Sequence, residues 1–136
     1  MRVISLLLAG AALASCTTAP EQTARSPDKQ VELAQLLAGK VAQKPVTCLP
    51  HYRSDDMRVI DDNTVAFRDG SHRTYVAHLN GGCNNLGMGS YALVTLLHGS
   101  PDLCSGQIAR VVDTANGMTV GSCSFEEFTP YVRPGA

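Results

Sequence analysis

Residues 57–79, MRVIDDNTVAFRDGSHRTYVAHL, decide the fold class. They hold three short runs rich in β-branched and aromatic side chains, Met57–Ile60, Thr64–Arg68 and Arg73–Leu79, of the length and composition of β-strands. Between them stand Asp61-Asp62-Asn63 and Asp69-Gly70, residues that tolerate the left-handed backbone of hairpin turns. Working outward, the same grammar recurs in Val46–Tyr52, Ser90–Leu97, Gln107–Asp113 and Met118–Cys123, with Asn116-Gly117 as a further hairpin turn. Seven short strands with brief connections predict a mainly β domain, an antiparallel meander curled into a small barrel or sandwich.

The β-prone runs fill a segment of distinct composition. Residues 45–136 hold all seven aromatic residues, ten of the twelve glycines, four of the five cysteines and no lysine. Six arginines stand against nine acids there, a net charge of −3. The whole sequence of 136 residues carries 11 basic and 12 acidic groups, a formal charge of −1, so electrostatics gives no reason to expect a nucleic-acid partner.

Upstream, Ser26-Pro27-Asp28 reads as a helix start, with a hydroxyl to cap, a proline at the first helical position and an acid near the positive end of the dipole. Val31, Ala34, Ala38 and Val41, flanked by Leu33 and Leu37, share one broad face. This short amphipathic helix is placed at 30–44, ending because Lys44 precedes Pro45, and its expected role is to pack that face on the β domain. Before it, Thr17–Lys29 (TTAPEQTARSPDK) has no large apolar residue and cannot bury enough surface to fold. Residues 16–29 read as a flexible tether.

The N-terminus is an address. Arg2 precedes an apolar run, Val3–Ala14, of signal-peptide length and too short to span a bilayer. Leu13-Ala14-Ser15-Cys16 resembles a lipobox, which makes residues 1–15 a lipoprotein signal peptide and Cys16 the diacylglyceryl- and palmitate-bearing first residue of a mature protein of 136 − 15 = 121 residues. An ordinary secretory site exists as well, Ala12-Leu13-Ala14, cut before Ser15. Cysteine arithmetic favours the lipobox: with Cys16 acylated, Cys48, Cys83, Cys104 and Cys123 remain, an even number that closes two disulfides in an oxidising compartment. Thr17 in place of Asp after the lipid cysteine points to an outer-membrane lipoprotein facing the periplasm, the alternative being secretion to the periplasm. In a meander, the ends of the strands favour Cys48–Cys83 and Cys104–Cys123 among the three possible pairings.

Motifs for chemistry are sparse. GGCNNLGMG at 81–89 lacks the lysine of a phosphate loop and reads as a turn around a disulfide. His98, Ser100 and Asp102 fall within five residues, too close for a triad assembled by the fold. His72 and His78, with Asp69 or His51, are weak candidates for a metal site; the Asp55-Asp56 and Asp61-Asp62-Asn63 clusters lack the calcium-loop register and read as turns. No cofactor is implied.

PVTCL at 45–49, VIDDNTVAFR at 59–68, GGC at 81–83, LCSGQI at 103–108, GSCSF at 121–125 and FTPY at 128–131 together resemble a family of small bacterial envelope proteins, a domain of unknown function carrying a lipoprotein signal peptide. The resemblance implies a periplasm-facing disulfide domain and supplies no activity. The expected role is a non-enzymatic accessory held at the membrane by the Cys16 lipid and binding an envelope protein. Two alternatives stand beside it, an inhibitor of a lysozyme-type hydrolase and a metal-binding protein or small enzyme. Globomycin, or Cys16→Ser, should abolish lipid labelling and move the protein out of the membrane fraction; unchanged mobility and fractionation would overturn the lipoprotein assignment.

Overall fold

The structure, a computed structural model, describes residues 25–53 and 56–135. The signal peptide, Cys16, most of the tether and Asp55 lie outside the described residues. One helix, α1 (Pro27–Leu37), precedes nine antiparallel strands: β1 (Val41–Ala42), β2 (Cys48–Leu49), β3 (Met57–Asp61), β4 (Thr64–Asp69), β5 (Arg73–Gly82), β6 (Tyr91–Thr95), β7 (Leu103–Cys104), β8 (Ile108–Asp113) and β9 (Thr119–Val132). The mainly β expectation holds, and the large sheet curls into a half-barrel.

Turn chemistry acts where the sequence indicates. The Asn63 N–H donates to the Asp61 carboxylate at 2.8 Å between β3 and β4. Gly70 takes φ 65° between β4 and β5, and Gly117 takes φ 73° between β8 and β9, where the Ala115 N–H also donates to the Asp113 carboxylate.

The strand order differs from a meander. It runs β3-β4-β5-β9-β8-β6, so the last strand lies in the middle and β5 and β6 are not neighbours. The expected final strand, Met118–Cys123, is in fact the first third of a strand that continues to Val132. β5 pairs along nearly all of it, from Arg73↔Val132 to Gly82↔Ser122. The other flank of β9 is shared: β8 takes Thr119–Ser124, Gly106 and Gln107 bond the backbone of Phe125, Val46 bonds Phe128, and Gln43 bonds Pro130. β1 completes it at Tyr131 and Val132.

That last pairing corrects the helix boundary. α1 stops at Leu37 rather than near Gln43, because Gly39 adopts φ 70° and releases the backbone to pair with β9. The expected face is corrected too: Val31 and Val41 are more than half exposed, and no helix residue is fully buried. The half-buried residues of the helix are Lys29, Glu32, Leu33, Leu36 and Leu37, and the contacts made by the helix and by Arg25 just before it are largely polar. Lys29 Nζ donates to the Val59 carbonyl at 3.2 Å, the Thr74 hydroxyl donates to the Leu36 carbonyl at 3.3 Å, and Arg25 bonds Asp61 at 2.7 Å and the Thr64 hydroxyl at 3.2 Å. Thr64 and Thr74 are the buried polar residues of the sheet, satisfied by this cover as buried hydroxyls must be. Ser26 occupies the N-cap, yet its hydroxyl makes no cap bond.

The opposite face of the sheet carries the core. Phe67, Phe125 and Phe128 lie 5.9–6.3 Å apart by ring centroids and pack with Val65, Leu79 and Val111. A 3₁₀ turn, Leu86–Met88, touches both edge strands, β3 and β6, burying Leu86. The Gly87 N–H donates to the Asp62 carboxylate at 2.8 Å. Gly121 admits no side chain, since a Cβ there would collide with the Gly82 carbonyl oxygen.

The disulfides are Cys48–Cys104, across the β2–β7 pair, and Cys83–Cys123. The expected Cys48–Cys83 and Cys104–Cys123 pairing is overturned by the strand order. With β9 beside β5, Gly81 sits opposite Cys123, so Cys83 meets the last cysteine instead of the first. Each bridge, with sequence separations of 56 and 40, contributes about 2–4 kcal/mol. No arginine or lysine lies between Cys83 and Cys104, so non-reducing peptide mapping needs a cut at Met88 or before Asp102. It should then yield Cys48 joined to Cys104 and Cys83 joined to Cys123, and recovery of a Cys48–Cys83 peptide would refute the pairing.

Candidate functional site

Register places four side chains of the β4–β5 hairpin on one face. Phe67 pairs with Tyr75 and Asp69 with Arg73, two residues further along each strand, so all four point the same way. Phe67 and Tyr75 are buried on the core side; Asp69 and Arg73 therefore form the rim above them. Facing this hairpin is the segment that leaves β2, Leu49–Arg53, together with Asp56. The two enclose a cleft of about 520 Å³, within the usual size range of small-ligand sites.

Its floor is aromatic. Tyr52 meets Phe67 edge-on, with ring centroids 5.7 Å apart at 80°, in the geometry ring quadrupoles favour. The rim is charged. Arg73 pairs with Asp69 at 3.4 Å, donates to the Tyr75 hydroxyl at 3.3 Å and lies 6.0 Å from the Tyr75 ring centroid. The Tyr75 hydroxyl, and after it the Asp69 carboxylate, hold the Arg73 guanidinium above its ordinary pKa, so it stays cationic at any working pH. Arg53 pairs with Asp56 at 3.6 Å. Arg68 is exposed and pairs with Thr74, so its side chain stands on the opposite, α1-bearing face of the sheet.

The near wall is held under strain. His51 adopts φ 52°, a left-handed conformation unusual for a residue with a Cβ. Two bonds to the loop before β7 keep it there: the His51 N–H donates to the Asp102 carboxylate at 3.2 Å, and the Tyr52 N–H donates to the Pro101 carbonyl at 3.2 Å. The Cys48–Cys104 bridge ties the bases of these two loops together. Strained backbone persists where its surroundings over-determine it, and such positions cluster at binding sites.

The residues singled out by sequence separate in space. Cys48, Cys83, Cys104 and Cys123 are staples. Asp69 is at the cleft rim, and His72 sits in the adjoining turn with its carbonyl accepting from the Arg133 N–H. His78 lies six positions along β5, roughly 20 Å away at strand rise. There it faces Glu126 and Glu127 across a bulge in β9. His72, His78 and Asp69 therefore cannot share an ion, and among the described residues no three His, Cys, Asp or Glu side chains gather to hold one. Of the His98, Ser100 and Asp102 group, Ser100 accepts a hydrogen bond from the Asp102 N–H at 3.2 Å, and Asp102 braces His51. Sequence patterns do not single out Arg73 and Tyr75, and they offer His51 only as a further metal ligand. The signal present is an acid and an arginine closing one hairpin turn, D-G-S-H-R at 69–73.

The model of a family described as a family of unknown function (DUF6491) matches residues 1–131, and the chain belongs to that family. No curated protein and no solved structure matches the chain.

Replacing His51 by glycine removes the Cβ that makes φ 52° costly. It should leave stability unchanged or raise it by up to about 1 kcal/mol in urea unfolding, whereas a loss larger than that would show that the imidazole itself holds the wall in place.

Proposed function

We propose, with membership of that family as the premise, that the protein is a non-enzymatic accessory of the cell envelope that binds a protein partner through the cleft between the β4–β5 hairpin and residues 49–53. The observation that carries this reading is the braced, strained His51–Tyr52 segment, held by a disulfide-tied loop opposite an arginine-bearing hairpin. A wall fixed in advance lowers the ordering cost of binding.

The envelope address rests on Leu13-Ala14-Ser15-Cys16 and the unfoldable composition of the segment after it. Two disulfides support it, since such bonds persist in oxidising compartments. In this reading the Cys16 lipid holds the domain at the outer membrane and the tether gives it reach toward the periplasm. The cleft is concave, which suits reception of a partner's protruding segment better than insertion of a loop into a hydrolase.

Chemical crosslinking of the lipidated protein in its own envelope, followed by affinity purification, tests the reading. A stoichiometric protein partner should be recovered with the native protein and lost with Arg73→Glu, at the half-exposed rim of the cleft. Recovery of no such partner, or undiminished recovery with Arg73→Glu, would overturn it.

A further inference from the structure

The large sheet ends in two edge strands, β3 and β6, and they are guarded very differently. At β3 the register breaks between Val59 and Asp61, Lys29 Nζ donates to the Val59 carbonyl at 3.2 Å, and Arg58 and Asp61 place charge on the strand. A bulge, a covering lysine and charged residues are the devices by which edge strands avoid pairing with other chains. β6 has none of them. Its register with β8 is unbroken from Tyr91↔Asp113 to Thr95↔Ala109, and no Asp, Glu, Lys or Arg occurs from Thr74 to Pro101.

The main-chain groups on that edge can be assigned. The Thr114 N–H donates to the Ser90 carbonyl at 3.1 Å, which continues the β6–β8 register and makes Ser90, Ala92 and Val94 the residues bonded toward β8. Leu93 and Thr95 therefore turn their N–H and C=O groups outward, and among the described residues no other element bonds them. The Leu86–Met88 turn lies against β6 and leaves these groups unbonded. The side chains beside them are bare as well: Val94 is 40% exposed, Leu96 49%, and Ile108 on β8 58%. Register across β9, where Ser124 pairs with both Asn80 and Ile108, puts all three on the face that α1 covers over β3 and Thr74, beyond the reach of the helix.

We propose that β6 pairs with β6 of a second copy of this chain, antiparallel about a two-fold axis at Thr95. The occupant follows from the strand itself. Leu93-Val94-Thr95-Leu96-Leu97 reads almost the same in both directions, which suits a self-complementary, isologous contact. With Thr95 opposite its counterpart, Leu93 faces Leu97 and the outward groups of Leu93 and Thr95 gain partners. Val94 then stands beside Leu96 of the other copy in the closely spaced, non-hydrogen-bonded position, and Ile108 extends the apolar row. The lack of charge fits the same occupant. A charge close to a two-fold axis meets its own copy, and like charges opposite one another destabilise a ladder. The pairing consumes the unguarded edge, so it closes at two copies instead of growing into a fibre.

Cells co-producing two full-length copies with different affinity tags supply the test. In mild detergent, purification through one tag should recover the other copy. Val94→Glu with Leu96→Glu in both copies sets like charges opposite one another across the junction and should reduce that recovery about tenfold or more. Val94→Glu with Leu96→Lys, where each glutamate faces a lysine, should restore it. Both positions are exposed, so the core is untouched, and the restoring pair separates lost pairing from misfolding. Leu96→Cys should also give a crosslinked dimer with a short bismaleimide, since the two copies of the residue become diagonal neighbours about 7–8 Å apart, whereas Val31→Cys on α1 should not. No co-recovery, indifference to the two glutamates, failure of the glutamate–lysine pair to restore it, equal crosslinking from Val31→Cys, or a different protein captured at β6 in place of the second copy would overturn the proposal. β6 lies apart from the cleft, so Arg73→Glu should leave co-recovery unchanged, and the two readings stand or fall separately.

Discussion

The backbone of β9 has to be satisfied on both sides along fourteen residues, since buried amide groups left unpaired cost free energy comparable to a lost hydrogen bond. β5 supplies one side in a single run. The other is assembled from pieces remote in sequence: β8, the Gly106–Gln107 turn, Val46, Gln43 and β1. Nearly everything else follows from that demand. The helix must end early enough for residues 41–46 to reach β9. Gly121 must lack a side chain because β5 passes so close. Cys123 is delivered to Cys83 by register rather than by proximity in sequence.

The same demand explains which features are legible in the sequence. Hairpin turns are local chemistry, and Asp61-Asp62-Asn63, Asp69-Gly70 and Asn116-Gly117 mark them directly. Strand composition is local as well, so most of β3, β4, β5, β6 and β8 can be located. Strand order is not local. The continuation Ser124–Val132 contains two glutamates at a bulge and Pro130, which break the alternation that would extend the last strand. With that strand cut short, a sequential order and the wrong cysteine partners follow together. Gly39 is readable as a helix stop, but Lys44-Pro45 offers a competing one further on. The functional face is harder still: arginines on a strand end look like an ordinary solvated surface until register shows that Arg73 stands above Tyr75 and Phe67.

The cleft depends on the same framework. Its far wall is a hairpin continuous with the Phe67 and Phe128 contacts of the core, and its near wall begins at the residue after a disulfide cysteine. Side chains such as Tyr52 and Tyr75 therefore hang from rigid elements instead of a free loop. Such placement makes a site selective, because a ligand meets a shape already set. The Leu86–Met88 turn plays a related part at the far side of the sheet, where it lies against both edge strands and so limits the open edge that would otherwise invite pairing with another protein.

The order in which the bridges interlock has a consequence for survival among proteases. The first cysteine of the domain pairs with the third and the second with the fourth, so any cut between Cys48 and Cys123 leaves the two fragments covalently joined. A cut in the exposed stretch around Leu96 and Leu97 leaves them joined twice. Side-by-side pairing would have let one nick there split the domain in two. The interlaced arrangement turns this exposed irregular segment from a point of vulnerability into the point of greatest redundancy.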